Sequence, residues 1–441
     1  MRSSGILFVL VILVLSAVKC SEKSTESISE PVINRTTAEL TPQEKSAISS
    51  SNKFGMNLFR ELTAQIAATD NIFLSPLSVS YALALCYNGA NGETREAIGS
   101  TLEMADLSLE ELNQAYYAAT KILMQADPEV DFRLANSFWS RQGKVIQPGF
   151  IDLAKTYFSA RVEEIDFQAP NAADIINAWV EEATNGKITD MVEPPISAST
   201  AAMLFNAIYF KGSWMYEFDT EHTHDRTFHL ADGTDTQCQM MYMGQEDCLV
   251  QPPGYNYPIT DTNITMYEDN NVFVLGMPYG RGDFRMSIII PNRWFGYPNN
   301  DTARSIDEVI AGLTPEKWAA WTSGGTPYEF DLALPKFKFR DDIGLTELLK
   351  ALGMEIAFNR NEADFSNLFV DGVGWIDEVK QKTFIQVDEH GTEAAAVTQV
   401  VFADAVPPQI ICDRPFLVVI HEDNSGAILF MGRIANPVWE E

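Results

Sequence analysis

The chain is poor in basic residues, in histidine and in cysteine. Lysine and arginine together number 31 against 61 acidic residues, a formal charge of −30. A surface of that sign repels phosphate backbones and anionic headgroups, so nucleic acid is not expected as a partner. The five histidines are His222, His224, His229, His390 and His421. None falls in a His-Glu-x-x-His pattern, no Gly-x-Ser-x-Gly occurs, and Gly276 to Gly282 lacks the Lys-Ser/Thr ending of a phosphate loop. Enzyme chemistry therefore has no recognisable carrier. His222 and His224, beside Asp219, Glu221 and Asp225, match no closed metal site and read as a polar loop, so neither metal nor cofactor is expected.

Long apolar runs are also missing. The single run, Ile6 to Val18 behind Arg2, is too short for a comfortable membrane span. It has the pattern of a signal peptide, residues 1–20, with small residues near Ala17 to Ser21 for cleavage. Leu15 to Cys20 is also similar to a lipoprotein signal, which leaves lipidation of Cys20 as a second reading. Lys19 departs from that pattern, and plain secretion, extracellular or periplasmic, is preferred. Processing would leave Cys86, Cys238, Cys248 and Cys412. Cys86 lies in an apolar helical run, Tyr81 to Tyr87, and reads as a buried thiol. Cys238 and Cys248 could close a hairpin in an oxidising compartment; spacing leaves that open.

What the chain does have is core-forming material, with 46% hydrophobic residues. Ser21 to Thr41, rich in Ser, Thr and Glu, reads as a tether. Phe54, Leu58, Phe59 and Leu62 recur at helical spacing, Leu107 to Gln125 shows a second such pattern, and Ala172 to Met191 reads as a helix with Trp179 on its apolar face. Ile343 to Leu352 reads as a short helix ended by Gly353. Strands are expected over Phe132 to Trp139, Val272 to Leu275, Arg285 to Ile290 and Lys380 to Asp388, with a hairpin from Leu417 to Met431 turning at Asp423 to Gly426. Two stretches rich in Asn, Pro and Tyr, 244–263 and 294–302, read as long surface loops.

The most informative stretch is Glu389 to Pro408. Gly391 opens a run of small residues with no aromatic until Phe402. Alternate residues Thr392, Ala394, Ala396 and Thr398 form a small, burial-tolerant row, while Glu393, Ala395 and Val397 form the other. Pro407-Pro408 and Asp404 instead suit an exposed loop. One segment thus fits both a strand and a loop.

That stretch resembles the hinge and reactive-centre loop of the serpins, the serine protease inhibitor superfamily. Other matches fall in order along the chain: Asn71 to Ser78 with the entry to the family's helix B, Asn177 to Ile188 with its helix F, Phe205 to Trp214 with a strand of its main sheet, and Pro415-Phe416 with Phe430 to Pro437 at the C-terminal strands. The resemblance implies an α+β fold with three β-sheets, about nine helices and an exposed reactive-centre loop, in one domain over 46–441 after a tether at 21–45. It implies a monomeric suicide substrate and not an enzyme. A protease serine attacks the loop, and the acyl-enzyme is trapped when the cut loop inserts into the main sheet, the family's known form of strand addition. Counting from the hinge Glu389 puts the cut at Ala405–Val406; counting back from Pro415 puts it at Asp404–Ala405. The first count suits an elastase-like or subtilisin-like protease with a small primary pocket, and it is preferred. The family's breach matches at Trp214, Lys336 and Glu389, with the ion pair expected beneath the indole. Its shutter matches at Ser75, Ser78, Asn206 and Gln381, where Gln381 replaces a frequent histidine. Heparin is not an expected partner, because the region matching the family's helix D, Leu102 to Asp131, carries seven acidic residues, Glu103, Asp106, Glu110, Glu111, Asp127, Glu129 and Asp131, against Lys121. The alternative is a non-inhibitory serpin that binds or stores a ligand.

Overall fold

The computed structural model describes residues 39–104, 107–244, 263–292, 305–327, 331–392 and 409–440. The first helix, α1 (Pro42–Gln65), starts where local chemistry dictates. Thr41 accepts from the Glu44 amide, Glu44 returns a bond to the Thr41 amide at 2.7 Å, and Pro42 fills the first turn. The helix therefore begins inside the expected tether, and residues 42–45 belong to the folded unit, with Glu44 and Ala47 already buried.

Helices α2 (Pro76–Gly89), α3 (Gly92–Thr101), α4 (Leu109–Leu123) and α5 (Pro148–Phe158) follow on one side of the molecule. Beyond them come α6 (Ala172–Ala183), α7 (Ile306–Ala311), α8 (Pro315–Ser323), α9 (Thr346–Leu349) and α10 (Glu355–Phe358). The last two join through a π-helical turn, Lys350–Met354, where Gly353 takes φ +113°. Counted as one body they make nine helices among the described residues. None of these is long and apolar enough to cross a membrane.

The central sheet runs in the order β1 (Ile72–Leu74), β17 (Ile428–Ile434), β16 (Phe416–Glu422), β9 (Phe284–Pro291), β8 (Val272–Tyr279), β7 (Thr265–Glu268), β10 (Thr326–Pro327). Its strands β8, β16 and β17 are buried at every position and so show no alternation, with His421, Glu422 and Arg433 as buried polar residues of β16 and β17. A second sheet runs β15 (Gln409–Ile411), β11 (Asp331–Pro335), β6 (Asp235–Met243), β5 (His224–His229). Where a third sheet was expected there are two hydrogen-bonded pieces. One is β14 (Gly391–Thr392), β4 (Ala202–Ser213), β2 (Val130–Arg141), β3 (Arg161–Ile165); the other is β12 (Phe337–Gly344) with β13 (Lys380–Val387). The chain leaves β13, turns at Asp388 to His390, and starts a strand against β4, so the hinge itself occupies the top of the gap between the pieces.

Alternation along β4 and β13 sends one row of side chains into the main core, Leu204, Ile208 and Phe210 from β4 and Ile385 and Val387 from β13. The other face of β4 and β2 offers Phe205, Ala207 and Trp139 to the apolar side of α6, where Ile176, Trp179 and Val180 cover them. Helix α6 is shorter than the expected Ala172 to Met191. Asn185 and Gly186, at φ +50° and +76°, turn the chain out of the helix, and Ile188, Met191 and Val192 reach the same cluster from a non-helical segment. Likewise Ile343 belongs to β12, and the helix it was assigned to starts at Thr346.

Candidate functional site

The hinge is held by its own backbone first. The Trp214 amide donates to His390 O at 2.9 Å, the Phe218 amide to Glu389 O at 2.8 Å, and the Trp214 indole Nε1 to Asp388 O at 3.0 Å. Gly391 sits at φ +131°, and a Cβ there would fall 2.4 Å from Gly212 O. Only glycine lets the chain pass this close to β4. Thr392 follows, buried, with its hydroxyl 3.0 Å from the Tyr279 hydroxyl. Tyr279 in turn stacks on Trp214, ring centroids 4.4 Å apart and planes 12° from parallel. Burial drives the Tyr279 phenol well above its usual pKa, so it stays a neutral donor and acceptor.

Glu389 lies under this turn with its side chain 6% exposed. Lys336 Nζ is 2.7 Å from one carboxylate oxygen and the Thr223 hydroxyl donates to the other at 2.7 Å. Burial raises the carboxyl's pKa, but the hydrogen bonds from Lys336 and Thr223 outweigh it and leave the net value below the ordinary glutamate range. The pair is thus a desolvated, charge-assisted contact, not two solvated surface charges. Lys336 is placed by the break between β11 and β12, where its amide donates to Gln239 O at 2.8 Å. The ring that Lys336 Nζ faces, at 5.1 Å, is Trp439 and not the expected Trp214. Trp214 acts on the hinge backbone instead. His390 adds one more contact, Nδ1 to Glu217 Oε2 at 3.3 Å.

Lower down, Ser75 caps α2, accepting from the Ser78 amide at 3.3 Å while its hydroxyl donates to Leu429 O at 2.7 Å. Gln381 bonds the Ser75 backbone in both directions: Oε1 accepts from the amide at 2.9 Å and Nε2 donates to the carbonyl at 3.1 Å. The Gln381 amide does not titrate, so both bonds to Ser75 are kept at any pH. Ser78 enters this network only through its amide. Asn206 is not joined to Ser75 or Gln381; its Nδ2 donates across the ladder to Asn136 Oδ1 at 2.7 Å. Between β4 and β13, directly below Thr392, lies a cavity of about 30 Å³ bounded by Ile208, Phe210 and Ile385 among others.

Sequence reading missed Tyr279, Thr223 and Trp439 in this site, and Thr383, whose hydroxyl donates to Phe73 O at 2.7 Å. Tyr279 ends a strand buried at every position and so carries no alternation to mark it, while Thr223 and Trp439 are brought in by loops. Glu393 to Thr398, Asp404, Ala405, Val406 and the interiors of the two long loops lie outside the described residues, as does Cys248. Cys238 is buried, its thiol donating to Arg226 O at 3.6 Å, and burial pushes it up to about 11. Cys86 packs against the core, where burial raises it to about 12.

The family model described as Serpin (serine protease inhibitor) matches residues 49–437. Leukocyte elastase inhibitor of Xenopus laevis is 31% identical over 395 residues, which is 88% of this chain and 99% of that one. Among solved structures, the thermophilic serpin tengpin in its native state superposes with a TM-score of 0.77 at 26% identity, over 93% of this chain and 97% of the other. Thyroxine-binding globulin in complex with thyroxine superposes at 0.75 and 26%, over 89% and 99%.

Proposed function

The chain belongs to the serpin family, and from that membership we propose that it is a secreted serine protease inhibitor acting as a suicide substrate. Serpins as a class are protease inhibitors and not catalysts, and relatives of this chain carry inhibitor names. The observation that carries the inhibitory reading is the hinge: Gly391 and Thr392 are already paired to β4 at the mouth of a gap whose two walls are not hydrogen-bonded to each other. An exposed loop cut beyond the hinge has a prepared place to enter. The protease supplies the chemistry, its serine forming an acyl-enzyme at the scissile carbonyl. Insertion then carries the acyl group away while the bond persists, and deacylation stalls because catalytic geometry tolerates little displacement.

The small side chain of Ala405 suits an elastase-like or subtilisin-like pocket, with the cut at Ala405–Val406. Incubation with elastase-like, subtilisin-like and trypsin-like proteases tests both statements. The expected result is a complex that survives SDS with the first two classes, and a released C-terminal fragment beginning at Val406. A fragment beginning at Ala405 moves the cut to Asp404 and the target to an Asp-directed protease. Ala405→Arg should redirect trapping to trypsin-like enzymes. The second reading, a non-inhibitory binding serpin, is favoured by the likeness to thyroxine-binding globulin. It predicts cleaved product only, with no covalent complex.

A further inference from the structure

Strand β6 outlasts one of its neighbours. β5 pairs with it from Met240 to Asp235, while β11 stops at Pro335 opposite Met240. The chain then turns into β12 at Lys336, whose amide makes the last bond to this edge, to Gln239 O at 2.8 Å. Beyond that bond, residues 235–238 have no strand on this side among the described residues.

Two bonds fix which way the free groups point. Gln239 O faces Lys336, away from β5. The His229 amide, opposite Asp235, turns away from β6 to Asp413 O at 2.8 Å. Pairs of this kind alternate with hydrogen-bonded pairs along an antiparallel ladder. Asp235, Gln237 and Gln239 therefore all turn N–H and C=O away from β5, and those of Asp235 and Gln237 meet no ladder partner among the described residues.

The edge opens on a cleft of about 580 Å³. One wall is residues 236–239 and the other is residues 436–439. Each wall is a consecutive stretch, about 13 Å long if extended, so chain edges and not one face of a sheet bound the cleft. Trp439 is 46% exposed, with Lys336 and Lys338 Nζ at 5.1 and 5.7 Å from its ring. Lys336 is spent on Glu389, but Lys338 has no carboxylate partner among the described residues. Asp225, which also lines the cleft, accepts from Gln239 Nε2. The free cation favours an acidic occupant here, although the chain as a whole repels one. A compact ligand would leave the Gln237 backbone unmet, whereas an extended chain satisfies it.

We propose that this cleft binds an extended acidic peptide segment of another protein. The segment adds as a strand to β6 beside residues 235–237, sets an apolar side chain on Trp439 and brings a carboxylate to Lys338. The site needs no cut in the loop and stands apart from the inhibitory reading.

The test titrates the full, uncut chain with a fluorescein-labelled, acetylated hexapeptide alternating valine and glutamate, read by anisotropy. The glutamates also oppose its burial in the apolar gap between β4 and β13. A lysine counterpart and a form N-methylated at every amide serve as comparisons. The glutamate peptide should bind at least about tenfold tighter than the lysine one, and the methylated form should not bind. Trp439→Ala should weaken binding about tenfold and Lys338→Gln about threefold, with guanidinium midpoints unchanged. Bound peptide should slow amide exchange over residues 235–239. If Trp439→Ala lowers the midpoint, Lys338→Gln and the exchange pattern decide. Equal binding of the methylated form denies strand addition, and binding indifferent to both substitutions puts the peptide elsewhere. Either result, or no binding up to about 1 mM peptide, overturns the proposal.

Discussion

Thr392 is the residue on which the hinge turns, since it is buried, hydrogen-bonded to Tyr279 and paired with Gly212 of β4. Thr392→Arg would bury a long cation with no carboxylate within the Tyr279 contact, a cost of about 3–5 kcal/mol on the scale of an unpaired buried charge. The hinge should leave the gap, the loop should stay cleavable, and trapping should fail. The check is stoichiometry against an elastase-like protease: complexes at the wild-type ratio would mean that position 392 need not be buried. The importance of Thr392 was legible as the first small residue of a period-two row. The importance of Tyr279 was not, because nothing local marks which buried aromatic will meet a residue so distant in sequence.

Elements differ in how they respond to acid. His421 on β16 is buried against Trp318, ring centroids 5.0 Å apart, with Nε2 2.9 Å from the Ser287 hydroxyl. Burial outweighs the pull of Asp423 and holds its pKa near 4, from an ordinary 6.5. The unfolded chain takes up that proton first, so the native state loses stability as pH falls from about 6.5 to 4. Asp341 on β12 accepts the Phe73 amide at 2.8 Å, and burial lifts it from 3.8 to about 6. Here the native state takes the proton first, so this contribution is present at low pH and is lost as pH rises through 6. The two slopes oppose each other between about pH 4 and 6. Asp341→Asn keeps the acceptor for Phe73 and removes one slope. Guanidinium midpoints should then fall more steeply on acidification than in the wild type, and His421→Gln should flatten them; unchanged profiles would deny both shifts. Element types were largely legible from period, as β13 and the β16–β17 hairpin illustrate. Ends were less so. Thr184-Asn-Gly186 is a stop signal, but Ile188, Met191 and Val192 keep an apolar spacing that a helix and a folded-back segment satisfy equally.

For the whole molecule, a sheet in two pieces with a prepared gap is not the lowest free-energy arrangement if the loop can fill it. The intact form is then kinetically held. Cutting the loop should raise the melting temperature sharply, whereas an ordinary protein nicked in a loop is unchanged or weakened; calorimetry of cut and intact protein decides between them. The motifs in chain order made the α+β architecture and the location of the hinge readable. The split of the main sheet was not, since pairing between β4 and β13 depends on which strand arrives between them and both have the composition to pair.

The outer margin of that sheet is finished differently from its interior. The last residues run alongside β12, with the Lys338 amide donating to Val438 O and the Glu440 amide to Lys338 O, both at 2.8 Å, and Trp439 between them. An uncovered margin of backbone groups is a template for a neighbouring molecule. The terminal residues act as a selvedge: they stop the fabric from being extended from outside. With that margin closed beside β12, the slit between β4 and β13 is left to the molecule's own chain, already stitched in at Gly391.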